Sequence, residues 1–168
     1  KGPTPLADGK VRIRVAHIQI TDHLVLGVLE YLIRQGDIVP QTYELETRCM
    51  PSWNPVRKSL EDGTVDAAFV LAPIAMELFA EEVPLNLVLL AHRGGSTFVR
   101  NRKGIYKKPY GDFFRNKSFF IPHMLSVHHV LAHAFFQGLG LSASLNKGAD
   151  VNFEIIPPVQ MPEQLALS

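Results

Sequence analysis

Val11-Arg12-Ile13-Arg14-Val15-Ala16-His17-Ile18-Gln19-Ile20-Thr21-Asp22-His23-Leu24 decides the fold class, because its hydrophobic period changes midway. Val11, Ile13 and Val15 alternate with polar residues, which is the period of a strand over 11–18. Thr21 or Asp22 then stands where a helix needs a cap. Leu24, Val25, Val28, Leu29 and Leu32 follow on one helical face, and Gly36 stops the helix.

The same strand-to-helix pattern repeats along the chain. Tyr43 to Cys49 reads as a strand, and Ser52 caps a short helix from Trp53 to Glu61 that ends at Gly63. Val65 to Leu71 is almost wholly apolar apart from Asp66, as expected of a strand buried on both faces. Pro73 suits the first turn of a helix over 73–80. Leu85 to Ala91 reads as another buried strand, leading to the turn Arg93-Gly94-Gly95. After a shift to Lys, Arg, Gly and Tyr over 100–112 come a strand at 118–121, a helix at 127–137 and a strand at 151–156. Pro162 then opens a last helix.

Strands alternating with helices imply an α/β fold of mainly parallel sheets flanked by helices. In such sheets ligands sit beyond the carboxyl ends of the strands. Four helix starts belong there: Ile20–Leu24, Pro51–Pro55, Leu71–Ile74 and Leu125–His129. Each carries unpaired N–H groups and partial positive charge, so together they suit a small anionic or polar ligand.

Composition limits the alternatives. Apolar residues make up 46% and charged residues 20%, and the net charge is +1, which does not point to nucleic acid. The basic run Arg100, Arg102, Lys103, Lys107 and Lys108 is broken by Gly104, Pro109 and Gly111 and reads as a solvated linker. No apolar run reaches the roughly 20 residues a membrane-spanning helix needs. Residues 1–10 read as a loose leader, and Cys49, a single cysteine, as inert and buried.

Catalytic patterns are missing. His129 and His133 share a helix face, but Val130 occupies the place where a zinc protease carries its glutamate base. Neither a Gly-rich phosphate loop nor a nucleophile elbow appears. No catalytic residue, metal or cofactor is expected, and binding without catalysis is the reading.

Six segments in order resemble substrate-binding proteins of ABC importers, in the branch that takes nitrate, bicarbonate, sulfonates or thiamine precursors. They are Val11–Leu24, Ser52-Trp53, Leu60–Pro73, His92–Thr97, Ser126–His129 with Gly138-Leu139-Gly140, and Ile156–Glu163. The resemblance implies a type II periplasmic-binding-protein fold with lobe one at 11–98, a linker at 99–112 and the start of an incomplete lobe two at 113–168. It also implies a periplasmic or extracytoplasmic location and membrane subunits of an importer as partners. An export signal or lipid-anchor cysteine upstream of Lys1 would support transport. Enzymes of thiamine-pyrimidine or menaquinone synthesis are similar in architecture and form the alternative, favoured by the histidine-rich stretch 123–133. A sensory or regulatory ligand-binding domain is a third.

The candidate ligand contacts are Thr21, Asp22, His23, Trp53, Ala72, Pro73, Gly95, Ser96, Ser126 and His128. The Thr21 hydroxyl donates, or else simply caps the helix. Asp22 must point away from an anion, be neutralised, or meet a cation, and His23 is placed to pair with it. Trp53 offers a flat wall and one N–H donor, or packs in the core. Ala72 and Pro73 let backbone approach a ligand, and Gly94, Gly95 and Ser96 form a turn whose N–H groups cradle an oxygen. Ser126 is a cap beside His128. In nitrate-binding relatives a tryptophan and a histidine at the places of Trp53 and His128 line the site. Those relatives carry glutamine where this chain has Gly95, which argues for a larger ligand.

Overall fold

The computed structural model describes residues 2–91, 94–101 and 110–167, which divide into two compact units, Lys1–Arg93 and Gly94–Ser168. The first is built on β2 (Val11–Ile18). β3 (Tyr43–Met50) runs parallel to it along its whole length, from Val11 opposite Tyr43 to Ile18 opposite Met50. The other edge of β2 is shared by β1 (Thr4–Pro5), antiparallel at Val11 and Arg12, and β4 (Ala67–Ala68), parallel at Val15 and Ala16. Val15, Ala16 and Ile18 are all buried, so the end of β2 is covered on both faces.

Three helices follow the three parallel strands: α1 (Leu24–Gln35), α2 (Trp53–Glu61) and α3 (Ala72–Ala80). A parallel neighbour can be reached only by crossing back along the sheet, so each helix begins at the strands' carboxyl end. Leu26, Trp53, Val56, Val65, Ile74 and Leu78 are buried in this unit. Gly36 ends α1 in the left-handed region at φ +82°, its N–H bonded to the Ile33 carbonyl, as the sequence implies.

Five expectations fail here. Residues 1–10 were expected to be a loose leader, but Thr4–Pro5 joins the sheet. The Leu6 N–H bonds the Lys10 carbonyl and the Asp8 carboxylate receives the Lys10 N–H, closing a turn with Gly9 at φ +84°. Thr21 and Asp22 do not cap α1. They form a 3-10 turn, Thr21–His23, and neither end of it shows a side-chain cap bond. The inward face of the helix is also shifted: Leu26 is buried and Leu29 and Leu32 are half-buried, as expected of the last two, whereas Leu24, Val25 and Val28 are exposed. α1 is apolar nearly all round, so periodicity alone could not select the side. Leu85–Ala91 joins no sheet among the described residues, and Leu87 and Val88 are 81% and 86% exposed. An apolar run is a local property, whereas a ladder needs a second strand about 4.8 Å away. Cys49 is exposed for a related reason: it lies on β3, where only part of the strand is covered.

The second unit contains α4 (Tyr110–Phe114), β5 (Lys117–Ile121), α5 (Val127–Gly138), β6 (Ala143–Ser144), β7 (Val151–Ile155) and α6 (Met161–Leu167). Its sheet runs β5-β7-β6, and both pairings are parallel. Phe114, Ile121, Ala132, Phe136, Leu141, Val151 and Phe153 form its core. The Phe136 ring meets Phe119 edge-on at 5.2 Å between centres. Asp150 fastens the approach to β7. It accepts the Ser142 N–H and hydroxyl, each at 2.9 Å, and pairs with Arg115. These partners, the Ser142 N–H foremost, hold the Asp150 carboxyl below the usual carboxylate range. Most of the expected linker 99–112, including Arg102, Lys103, Lys107 and Lys108, lies outside the described residues, as do His92 and Arg93.

Candidate functional site

In the first unit the sequence candidates gather where β2, β3 and β4 end. His23, buried at 7% exposure, closes the 3-10 turn after β2. Its Nδ1 lies 3.1 Å from both the N–H and the carbonyl of Ile18, which anchors the ring to the end of β2. The ring stands edge-on to Trp53 at 5.6 Å and tilts against Phe69 at 5.0 Å, with His17 at 6.5 Å. Strand ends thus deliver four rings to one place: His17 from β2, His23 from the turn after it, Trp53 from the start of α2, and Phe69 from the residue after β4.

Trp53 is 3% exposed, and among the described residues its indole Nε1 is buried with no hydrogen-bond acceptor. Such a donor costs about 1–3 kcal/mol when left unpaired. Helix starts of the same unit lack side-chain caps, although backbone carbonyls take some of their N–H groups: the His23 N–H donates to Ile20 and the Leu24 N–H to Thr21. The positions before the 3-10 turn (Ile20), α1 (His23), α2 (Ser52) and α3 (Leu71) all lack a side-chain cap bond. Ser52 stands at its predicted cap position without making the bond. Pro73 lies in the first turn of α3, as read from the sequence. Thr21 and Asp22 are exposed on the turn before His23, and Ala72 is exposed at the start of α3.

In the second unit, Ser126 is 1% exposed, and its hydroxyl accepts the His129 N–H at 3.1 Å, the predicted cap of α5. His128 follows on the first turn and is exposed. His129 is engaged twice: its Nδ1 lies 2.8 Å from the Met124 carbonyl and its ring meets Phe153 edge-on at 5.0 Å. That packing accounts for His129 without a metal. Gly94 and Gly95 both adopt positive φ, +70° and +92°, and Gly95 and Ser96 are exposed. Both units therefore carry candidates, Thr21 to Pro73 in the first and Gly95 to His128 in the second.

Sequence reasoning passed over two features. Phe69 packs on His23, and its position just past the apolar run of β4 was the available signal. Arg14 and Asp66 form a two-pronged ion pair beneath the site, with Nε and Nη2 each 2.9 Å from a carboxylate oxygen. The Arg14 N–H adds a third bond to Asp66 at 2.8 Å. A single carboxylate in an otherwise apolar strand was the clue to this pair.

No family model matches the sequence, and no curated protein sequence matches it. Among solved structures it is similar to the ligand-binding component of an ABC-type import system from Staphylococcus aureus, crystallised with zinc bound. The two share 22% identity with a TM-score of 0.67, over 92% of this chain and 50% of that one. The chain thus spans about half the length of that protein. The likeness shows the fold: α/β, type II periplasmic-binding-protein-like, with parallel sheets flanked by helices in each of two units.

Proposed function

We propose that the protein is a solute-binding component of an ABC importer, capturing a small anion or polar metabolite without transforming it. One observation carries this reading: Trp53 opens α2 beside the His23 turn, at helix starts without side-chain caps, and among the described residues its buried N–H lacks an acceptor. A ligand oxygen brought to that N–H removes a desolvation penalty, and the neighbouring backbone N–H groups supply further donors and positive potential. Thr21, Asp22, His23, Ala72 and Pro73 frame the ligand in that unit. Gly95, Ser96 and His128 take the corresponding role in the second, with Ser126 positioning His128 through its cap.

The likeness to a ligand-binding component of an import system supports the same reading, and with it an extracytoplasmic place and membrane subunits as partners. Zinc is recorded for that protein. Among the described residues of this chain, no three His, Cys, Asp or Glu side chains come together as a ligand set, so the zinc is not carried over.

Trp53 is the chain's single tryptophan, so its fluorescence reports on this site directly. Titration with nitrate, bicarbonate, a sulfonate, a pyrimidine and an aromatic acid is expected to shift its emission for one class, with matching heat in calorimetry. Substituting Thr21→Val should weaken that ligand about tenfold through one lost hydrogen bond. Silence from every compound, in a sample with an intact cooperative melt, would sink the proposal.

A further inference from the structure

A cavity of about 750 Å³ lies within the second unit, walled by Phe98, Phe113, Phe114, Phe119, Met161 and Leu165 among others. That volume falls in the range of ligand pockets, about 300–1,000 Å³. None of the candidate contacts of the proposed function lines it, although Ser96 directly precedes its lining residue Thr97. The residues of β5 and β7 that line it begin at Lys117 and Val151, the first residues of those strands, and α5 contributes Phe136 from its last turn. Ser126 and His128 belong to the opposite, N-terminal end of α5.

Its chemistry is uneven. Six phenylalanines are among its sixteen lining residues, and Phe98 stacks on Phe119 at 5.2 Å. No acidic side chain lines it among the described residues, but two cations do. Lys117 Nζ is 5.4 Å from the centre of the Phe113 ring, and the Arg100 guanidinium is 5.6 Å from the same ring. Lys117 makes no ion pair among the described residues. The Asn101 side chain donates to the Leu165 carbonyl at 2.9 Å and ties one wall to α6. An apolar chamber with an unpaired cation at its edge has room and charge for one kind of guest.

We infer that this cavity binds a small amphipathic carboxylate, its apolar body against the phenylalanine rings and its anionic head at Lys117 and Arg100. The probes are octanoate and its neutral counterpart octan-1-ol, titrated into the full chain by calorimetry. Octanoate is expected to bind one to one and at least tenfold more tightly than octanol. Lys117→Gln should weaken octanoate at least tenfold and leave octanol unchanged, and Lys117→Arg should restore it. Val99→Trp, at a 63% exposed lining position, should fill the chamber and abolish both. His128→Ala and Thr21→Val should leave octanoate binding intact, which separates this site from that of the proposed function. Equal binding of octanol and octanoate, indifference to Lys117→Gln, or no binding by a folded sample would each overturn the inference.

Discussion

Asp66 shows how one residue ties the sheet to the site above it. Its side chain is 5% exposed and bonded to both prongs of the Arg14 guanidinium, whose own side chain is 17% exposed. These bonds, opposed by burial, hold the Asp66 carboxyl below the usual carboxylate range. Folding therefore favours the ionised form. The stabilisation is complete above the unfolded carboxyl's pKa of about 3.9 and is lost as pH falls through the lower folded-state value. Urea midpoints should thus drop as solutions are acidified below about pH 4, with Asp66→Asn flattening that dependence. Asp66→Ala strands Arg14 in a half-buried place and should cost about 3 kcal/mol in urea unfolding. A loss below about 0.5 kcal/mol would mean that the pair behaves like an ordinary surface bridge.

Among the elements, the two serine caps separate what position implies from what geometry delivers. Ser52 and Ser126 both precede helices in extended backbone, yet only Ser126 makes the bond, to the His129 N–H. Ser126→Ala should therefore lower stability by about 1 kcal/mol, whereas Ser52→Ala should cost only a few tenths, both read from thermal melts. Equal losses would contradict the open state assigned to the start of α2. In α1 the end of the helix was legible from its residues, and its orientation was not. Gly36 needs only its own backbone to stop the helix, whereas the choice of Leu26 over Leu24 and Val25 depends on what the rest of the chain places beside it.

At the scale of the molecule, Leu87, Val88, Leu89 and Leu90 are consecutive and between 64% and 86% exposed. A contiguous apolar stretch of this kind promotes association. Leu87→Asp with Leu89→Asp should reduce self-association in light scattering and shift the melting temperature by no more than about 2 °C, since neither side chain is buried. A large drop in melting temperature would show that the run is packed after all. The sequence by itself determined the α/β class, the parallel order of strands and helices, the bounds of α2 and the Ser126 cap, because each follows from local period, turn chemistry or a single side chain. The tertiary structure alone decided that Leu85–Ala91 stays unpaired, that Thr4–Pro5 completes an edge, that Asp66 meets Arg14 and that Trp53 meets His23. The Asp66 and Trp53 contacts join residues far apart in the chain, and even the short Thr4–Pro5 pairing depends on which edge of β2 the rest of the sheet leaves open.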